Sequence, residues 1–100
     1  MSNNENPDQP DTDEITGHLE EIHRLTDWNA ALRAQRNDIH VAQARSKRNY
    51  FSGQPYMSKL EQAQADLDLA EVERDLSANN AEIERLQRVI KGLRAAKAGS

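Results

Sequence analysis

One hundred residues with 30% charged side chains, four aromatic rings and a net charge of −4 make one domain at most, with a thin apolar stripe in place of a globular core. Cysteine is absent, which excludes a disulfide framework, a thiolate nucleophile and a sulfur-ligated metal. No segment approaches the roughly 20 apolar residues of a membrane span, and the first 14 residues hold no apolar run of the kind a secretory signal needs, so a cytoplasmic protein without membrane contact is expected.

Residues 1–13, MSNNENPDQPDTD, combine two prolines, acids and amides without one large apolar side chain to offset the entropy of ordering. They predict a disordered acidic tail. Asp11, Thr12 or Asp13 can cap a first helix, with acids well placed at its positive end. Gly17 weakens the opening turns. Helix 1 is expected over about residues 14–50, because Ile15, Leu19, Ile22, Leu25, Trp28, Leu32 and Ile39 recur at the spacing of one helical face.

The run Phe51-Ser52-Gly53-Gln54-Pro55 is the strong break between residues 18 and 91, and it predicts a turn over 51–55. Helix 2, expected over about 56–96, can start with Pro55 as its first residue or at Ser58, where Ser58 and Glu61 have capping-box spacing. From Leu69 the chain keeps a strict heptad. Leu69, Leu76, Ile83 and Ile90 occupy one core position, and Val72, Asn79, Leu86 and Leu93 the other. Gly92 loosens the last turns, and residues 98–100 form a frayed end.

These elements predict an all-α, antiparallel two-helix hairpin, coiled-coil-like, over residues 14–97. Folding about residue 52 sets Leu25 against Asn79, Trp28 against Leu76, Leu32 against Val72, Gln35 against Leu69 and Ile39 against Ala65. Farther from the turn, Ile22 meets Ile83, Leu19 meets Leu86 and Ile15 meets Ile90. The expected core is Leu19, Ile22, Leu25, Trp28, Leu32, Ile39, Leu69, Val72, Leu76, Ile83, Leu86 and Ile90. Flanking charges fit this register through Arg24 with Glu82, Arg45 with Glu61, and Arg36 with Asp66 or Glu73.

A single seam offsets the ordering of two long helices poorly, so further apolar surface should be covered. Ala30, Ala34, Val41 and Ala44 on helix 1, with Leu60, Ala63, Leu67 and Ala70 on helix 2, form a second stripe near the turn. It predicts a homodimer completing a four-helix bundle, with Val41, Leu60 and Leu67 as its oligomer face. Asn79 keeps a rival arrangement open, since in a parallel dimer through helix 2 it would face its own copy.

Charge is blocked along the chain. Residues 1–32 carry −7, 33–59 carry +5, 60–84 carry −7 and 85–100 carry +5. The second block puts Arg45, Lys47 and Arg48 among Tyr50, Phe51, Tyr56 and Met57 at the turn, the best candidate surface for binding a partner. Bases interleaved with aromatics can grip phosphates and stack on nucleobases. The same bases complement a helix C-terminus, and the same rings can plug the end of a hairpin. Nucleic acid ranks below a protein partner because the whole chain is acidic.

Glu20-x-x-His23 has the spacing used by carboxylate-bridged metal bundles but has no second copy, and His18, His23 and His40 do not share a face. No nucleophile elbow or glycine-rich loop is present. No cofactor, metal or catalytic residue is expected.

Phe51-Ser52-Gly53 is an aromatic-x-glycine step at the turn of a chain of about 100 residues, and in this the sequence loosely resembles the WXG100 secreted proteins. Phe51 stands where that family has tryptophan. The tyrosine-x-x-x-acid export signal near the C-terminus has no counterpart, since the tyrosines are Tyr50 and Tyr56. The resemblance implies export by a dedicated secretion machine and a dimeric partner. The residues themselves point first to a small non-enzymatic helical interaction protein: an adaptor, assembly component or inhibitor of the sort compact phage genomes encode. A nucleic-acid accessory protein with a basic tip is the second reading.

Overall fold

A computed structural model describes the backbone of residues 9–99 and the side chains of residues 12–98. The chain is an all-α antiparallel hairpin of two helices, α1 (Gln9–Ser52, 44 residues) and α2 (Lys59–Gly99, 41 residues). Residues 1–8 of the expected tail lie outside the described residues. Residues 9–13 are helical, because Pro10 falls in the first turn, where its missing N–H leaves no bond unmade. At the other end α2 runs through Ala98 to Gly99, into the expected frayed end, of which residue 100 lies outside the described residues.

The connection occupies residues 53–58 and not 51–55. Gly53 ends α1 with a φ of +77°, a left-handed conformation that side chains disfavour. The Gln54 N–H then closes back on the Asn49 carbonyl at 2.9 Å, the long bond of a Schellman cap. Of the two possible starts for helix 2, the capping box prevails: the Ser58 N–H donates to Glu61 Oε1 at 2.9 Å, and the Glu61 N–H donates to Ser58 Oγ at 3.1 Å.

Two compact units divide the chain, a terminal unit of Met1–Asp27 with Asn79–Ser100 and a turn unit of Trp28–Ala78. In the terminal unit, Leu25, Leu86 and Ile90 are buried, and Ile15, Ile22, Ile83 and Leu93 are half-buried. Steps of three and four residues lead along α1 through Ile15, His18, Ile22 and Leu25, a heptad seam with one imidazole in it. Leu19 is therefore not core: it sits one residue off the seam and is 44% exposed. Asn79 is buried on the α2 side and has a polar partner. Lys97 Nζ donates to Thr12 Oγ1 at 3.1 Å, which puts Ile15 nearest the level of Leu93 instead of Ile90. The expected Arg24–Glu82 pair gives way to two pairs within helices. Arg24 forks onto Glu21 and Arg85 onto Glu82, each three residues apart.

In the turn unit, Leu32, Val72 and Leu76 form one buried cluster, Ala65 is buried, and Ile39 and Leu69 are half-buried. Trp28 is also not core, being 42% exposed; the seam position belongs to its neighbour Asn29, which is 2% exposed and has a polar partner. The α1 seam continues through Leu32, Arg36, Ile39, Gln43 and Ser46, again in alternating steps of three and four. Two cross-helix pairs set its register. Gln43 Nε2 donates to Asp66 Oδ1 at 3.0 Å, and Arg36 Nη1 lies 3.9 Å from Glu73 Oε2, one heptad further along both helices. Ile39 is then level with Leu69 and not Ala65, one helical turn from the expected register. The centre of the fold moves accordingly from residue 52 into the 53–58 connection.

Candidate functional site

The turn unit carries the exposed aromatic residues of the hairpin end. Ser46, six residues before the end of α1, is 8% exposed, and its Oγ accepts the Met57 N–H at 2.8 Å. Asn49 Nδ2 donates to the Pro55 carbonyl at 2.6 Å, and Gln62 Nε2 donates to the Met57 carbonyl at 3.1 Å. The connection is therefore tied at both ends and in the middle by side chains. That wiring holds Tyr56 beside α1, where Tyr50 meets it edge-on with ring centroids 5.1 Å apart and meets Phe51 likewise at 5.4 Å. Edge-to-face contacts of this kind are favourable for aromatic pairs.

These rings do not plug the end of the seam. Phe51 is 77% exposed and Tyr50 60%, and only Met57 turns inward to half-burial. Together with Gln43, Ser46, Lys47 and Gln62, the rings and Met57 border a cavity of about 360 Å³. An exposed cluster of large apolar side chains around a concavity marks an interaction surface more often than an isolated exposed leucine does.

The three bases divide between two places. Lys47 lines the aromatic cavity and also, with Arg48, a shallow groove that includes Val41, Ala44 and Phe51, whereas Arg45 borders another with Asn49, Pro55 and Tyr56. At the start of α2, the two hydrogen bonds with Ser58, the backbone one foremost, hold the Glu61 carboxyl below its ordinary range.

Val41 is 54% exposed, Leu60 80% and Leu67 54%. Val41 falls on the side of α1 away from Arg36, Ile39 and Gln43, and Leu60 and Leu67 on the side of α2 away from Ala65, Leu69 and Val72. The second stripe is thus two stripes on two outer edges of the turn unit.

Sequence reasoning named the rings and bases of the tip but not Ser46, Asn49 and Gln62, which position them. Asparagine and serine just ahead of a glycine turn were the available signal, since their short polar side chains bond nearby backbone groups. Elsewhere two of the three histidines form pairs along α1, His18 with Glu14 at 3.7 Å and His23 with Asp27 at 3.4 Å. Among the described residues no group of three or more potential ligands could hold a metal ion, and no helix is long and apolar enough to cross a membrane.

Comparison of the chain with protein-family models, curated proteins and solved structures finds no match in any of the three.

Proposed function

We propose that this protein is a non-enzymatic helical adaptor that docks a protein partner through the aromatic tip of its turn unit. The supporting observation is the exposed trio of Tyr50, Phe51 and Tyr56, held edge to face around the 360 Å³ cavity by a connection already tied to both helices. Aromatic anchors beside a pocket, with little conformational freedom left to lose, are the features that concentrate binding energy at protein interfaces. Lys47 at the cavity rim favours a partner that presents a carboxylate next to an apolar side chain. Arg45 borders a different groove from the one that Lys47 and Arg48 share, which speaks against a phosphate-binding track through all three bases.

Affinity capture from the native cell, with and without nuclease, tests this reading. A protein should remain bound after nuclease treatment and be lost with Tyr50→Ala/Phe51→Ala/Tyr56→Ala, a variant that keeps the circular dichroism of the parent. Retention by that variant, or loss on nuclease treatment with a steep salt dependence, would refute it.

A further inference from the structure

The aromatic cavity of the turn unit carries a single charge on its walls. Lys47 is the one charged residue that borders it, no aspartate or glutamate does, and Lys47 enters no ion pair among the described residues. The polar side chains beside it are bound to neighbours. Gln43 Nε2 donates to Asp66 and Gln62 Nε2 to the Met57 carbonyl, which leaves their Oε1 atoms as acceptors, and Ser46 Oγ takes the Met57 N–H. Around the rings of Tyr50, Phe51 and Tyr56 the cavity therefore offers one unpaired cation and two amide acceptors.

Size narrows what can enter. A volume of about 360 Å³ lies at the small end of the ~300–1,000 Å³ span of ligand pockets and suits one large side chain with its own backbone. The carboxylate for Lys47 and the apolar group for the rings must then come from nearly the same place. In an extended segment successive side chains point to opposite sides, so an internal aspartate or glutamate and its apolar neighbour cannot both turn inward. A helix sets such a pair on one face at three or four residues, but it brings a cylinder about 10 Å wide that a cavity of this volume does not seat. A last residue meets neither difficulty. Its side chain and its α-carboxylate leave the same Cα, its N–H can donate to a glutamine Oε1, and its chain departs in one direction only.

We infer that the cavity captures the C-terminus of a partner protein, with an apolar last side chain against Tyr50, Phe51 and Tyr56 and the α-carboxylate on Lys47 Nζ. The inference rests on the docking reading proposed above and adds which part of the partner enters. A charge-assisted bond at Lys47 sets the orientation, and the rings supply apolar contact without selecting one side chain among phenylalanine, leucine and their like. Arg45 and Arg48 take no part, since neither borders the cavity.

Methyl and amide NMR of the full chain, titrated with three N-acetylated peptides, tests this. One peptide ends in phenylalanine with a free carboxyl, the second is the same with a carboxamide end, and the third holds phenylalanine-aspartate internally with a carboxamide end. The free-acid peptide should shift the Met57 methyl and the amides of Ser46 and Lys47, and should bind about tenfold tighter than either of the others. Lys47→Gln, at an exposed position, should abolish that preference and leave affinity for the second peptide unchanged. Equal binding of the acid and carboxamide ends, equal or tighter binding of the internal aspartate, a preference that survives Lys47→Gln, or no binding by any of the three would overturn the inference. So would a partner that is captured through the three rings and still binds after its last residues are removed, a result that leaves the docking reading in place. Capture that ignores the rings would remove the docking reading itself.

Discussion

In the terminal unit the α1 seam reads Ile15, His18, Ile22 and Leu25, whereas in the turn unit it reads Asn29, Leu32, Arg36, Ile39, Gln43 and Ser46. Three of four residues are apolar in the first and two of six in the second, so one heptad is kept in register by two kinds of chemistry. Chain connectivity accounts for the difference. Residues close to the 53–58 connection meet at small loop-closure cost, so polar pairs such as Gln43–Asp66 suffice to choose the register there. Residues on either side of a long loop meet at greater cost, and Leu25, Leu86 and Ile90 offset it by burial. The polar seam contributes specificity, since slipping by one turn would break both Gln43–Asp66 and Arg36–Glu73.

Truncating the apolar contacts should separate the units most strongly. Leu86→Ala should cost about 3 kcal/mol in urea unfolding, and Leu32→Ala, in the mixed seam, about 2 kcal/mol. In hydrogen exchange, Leu86→Ala should first expose amides of residues 12–27 and 79–98 and leave those of 28–78 protected. Equal loss of protection throughout the chain would show that the units unfold as one.

A smaller effect is expected at the connection. Gly53→Ala adds a side chain that meets no neighbouring atom but must adopt a φ of +77°, so stability should fall by about 1 kcal/mol through backbone strain alone. Thermal melts of the two proteins measure this, and an unchanged midpoint would mean that the left-handed cap is dispensable.

The smallest effect is one of pH and distinguishes the units by residue. Glu61 is held below its ordinary value of 4.5 chiefly by the Ser58 backbone bond, and Glu21 and Glu82 chiefly by their bonds with Arg24 and Arg85. A lowered folded pKa contributes stability that is fully present above the ordinary value and is lost as pH falls through the folded one. Carboxyl NMR titration should therefore place all three midpoints below 4.5. Ser58→Ala should raise the Glu61 midpoint and leave those of Glu21 and Glu82 in place, and a joint shift would contradict the division into units.

Much of the architecture was legible because its signals are local. Gly53 needs only its own φ, Ser58 and Glu61 need only each other, and the α2 heptad is apolar at nearly every core position. The α1 seam was harder to read. Asn29, Arg36, Gln43 and Ser46 hold seam positions without being apolar, so a search for leucines and isoleucines steps sideways onto Leu19 and Trp28 and carries the register off by a turn. At the tip, residue types were readable and their arrangement was not. Whether Tyr50 and Tyr56 fill the seam or stand outside it depends on the bonds made by Ser46 and Asn49, which connect residues brought together only by the turn.

Those two bonds bear on kinetics as well as shape. With Pro55 and Met57 fastened to α1 by an amide and a hydroxyl, the rim of the aromatic cavity has few conformations left to sample. The partner proposed to dock there would meet a preset mould. Its capture rate should follow diffusion and charge, and differences among ligands should show in how long they stay.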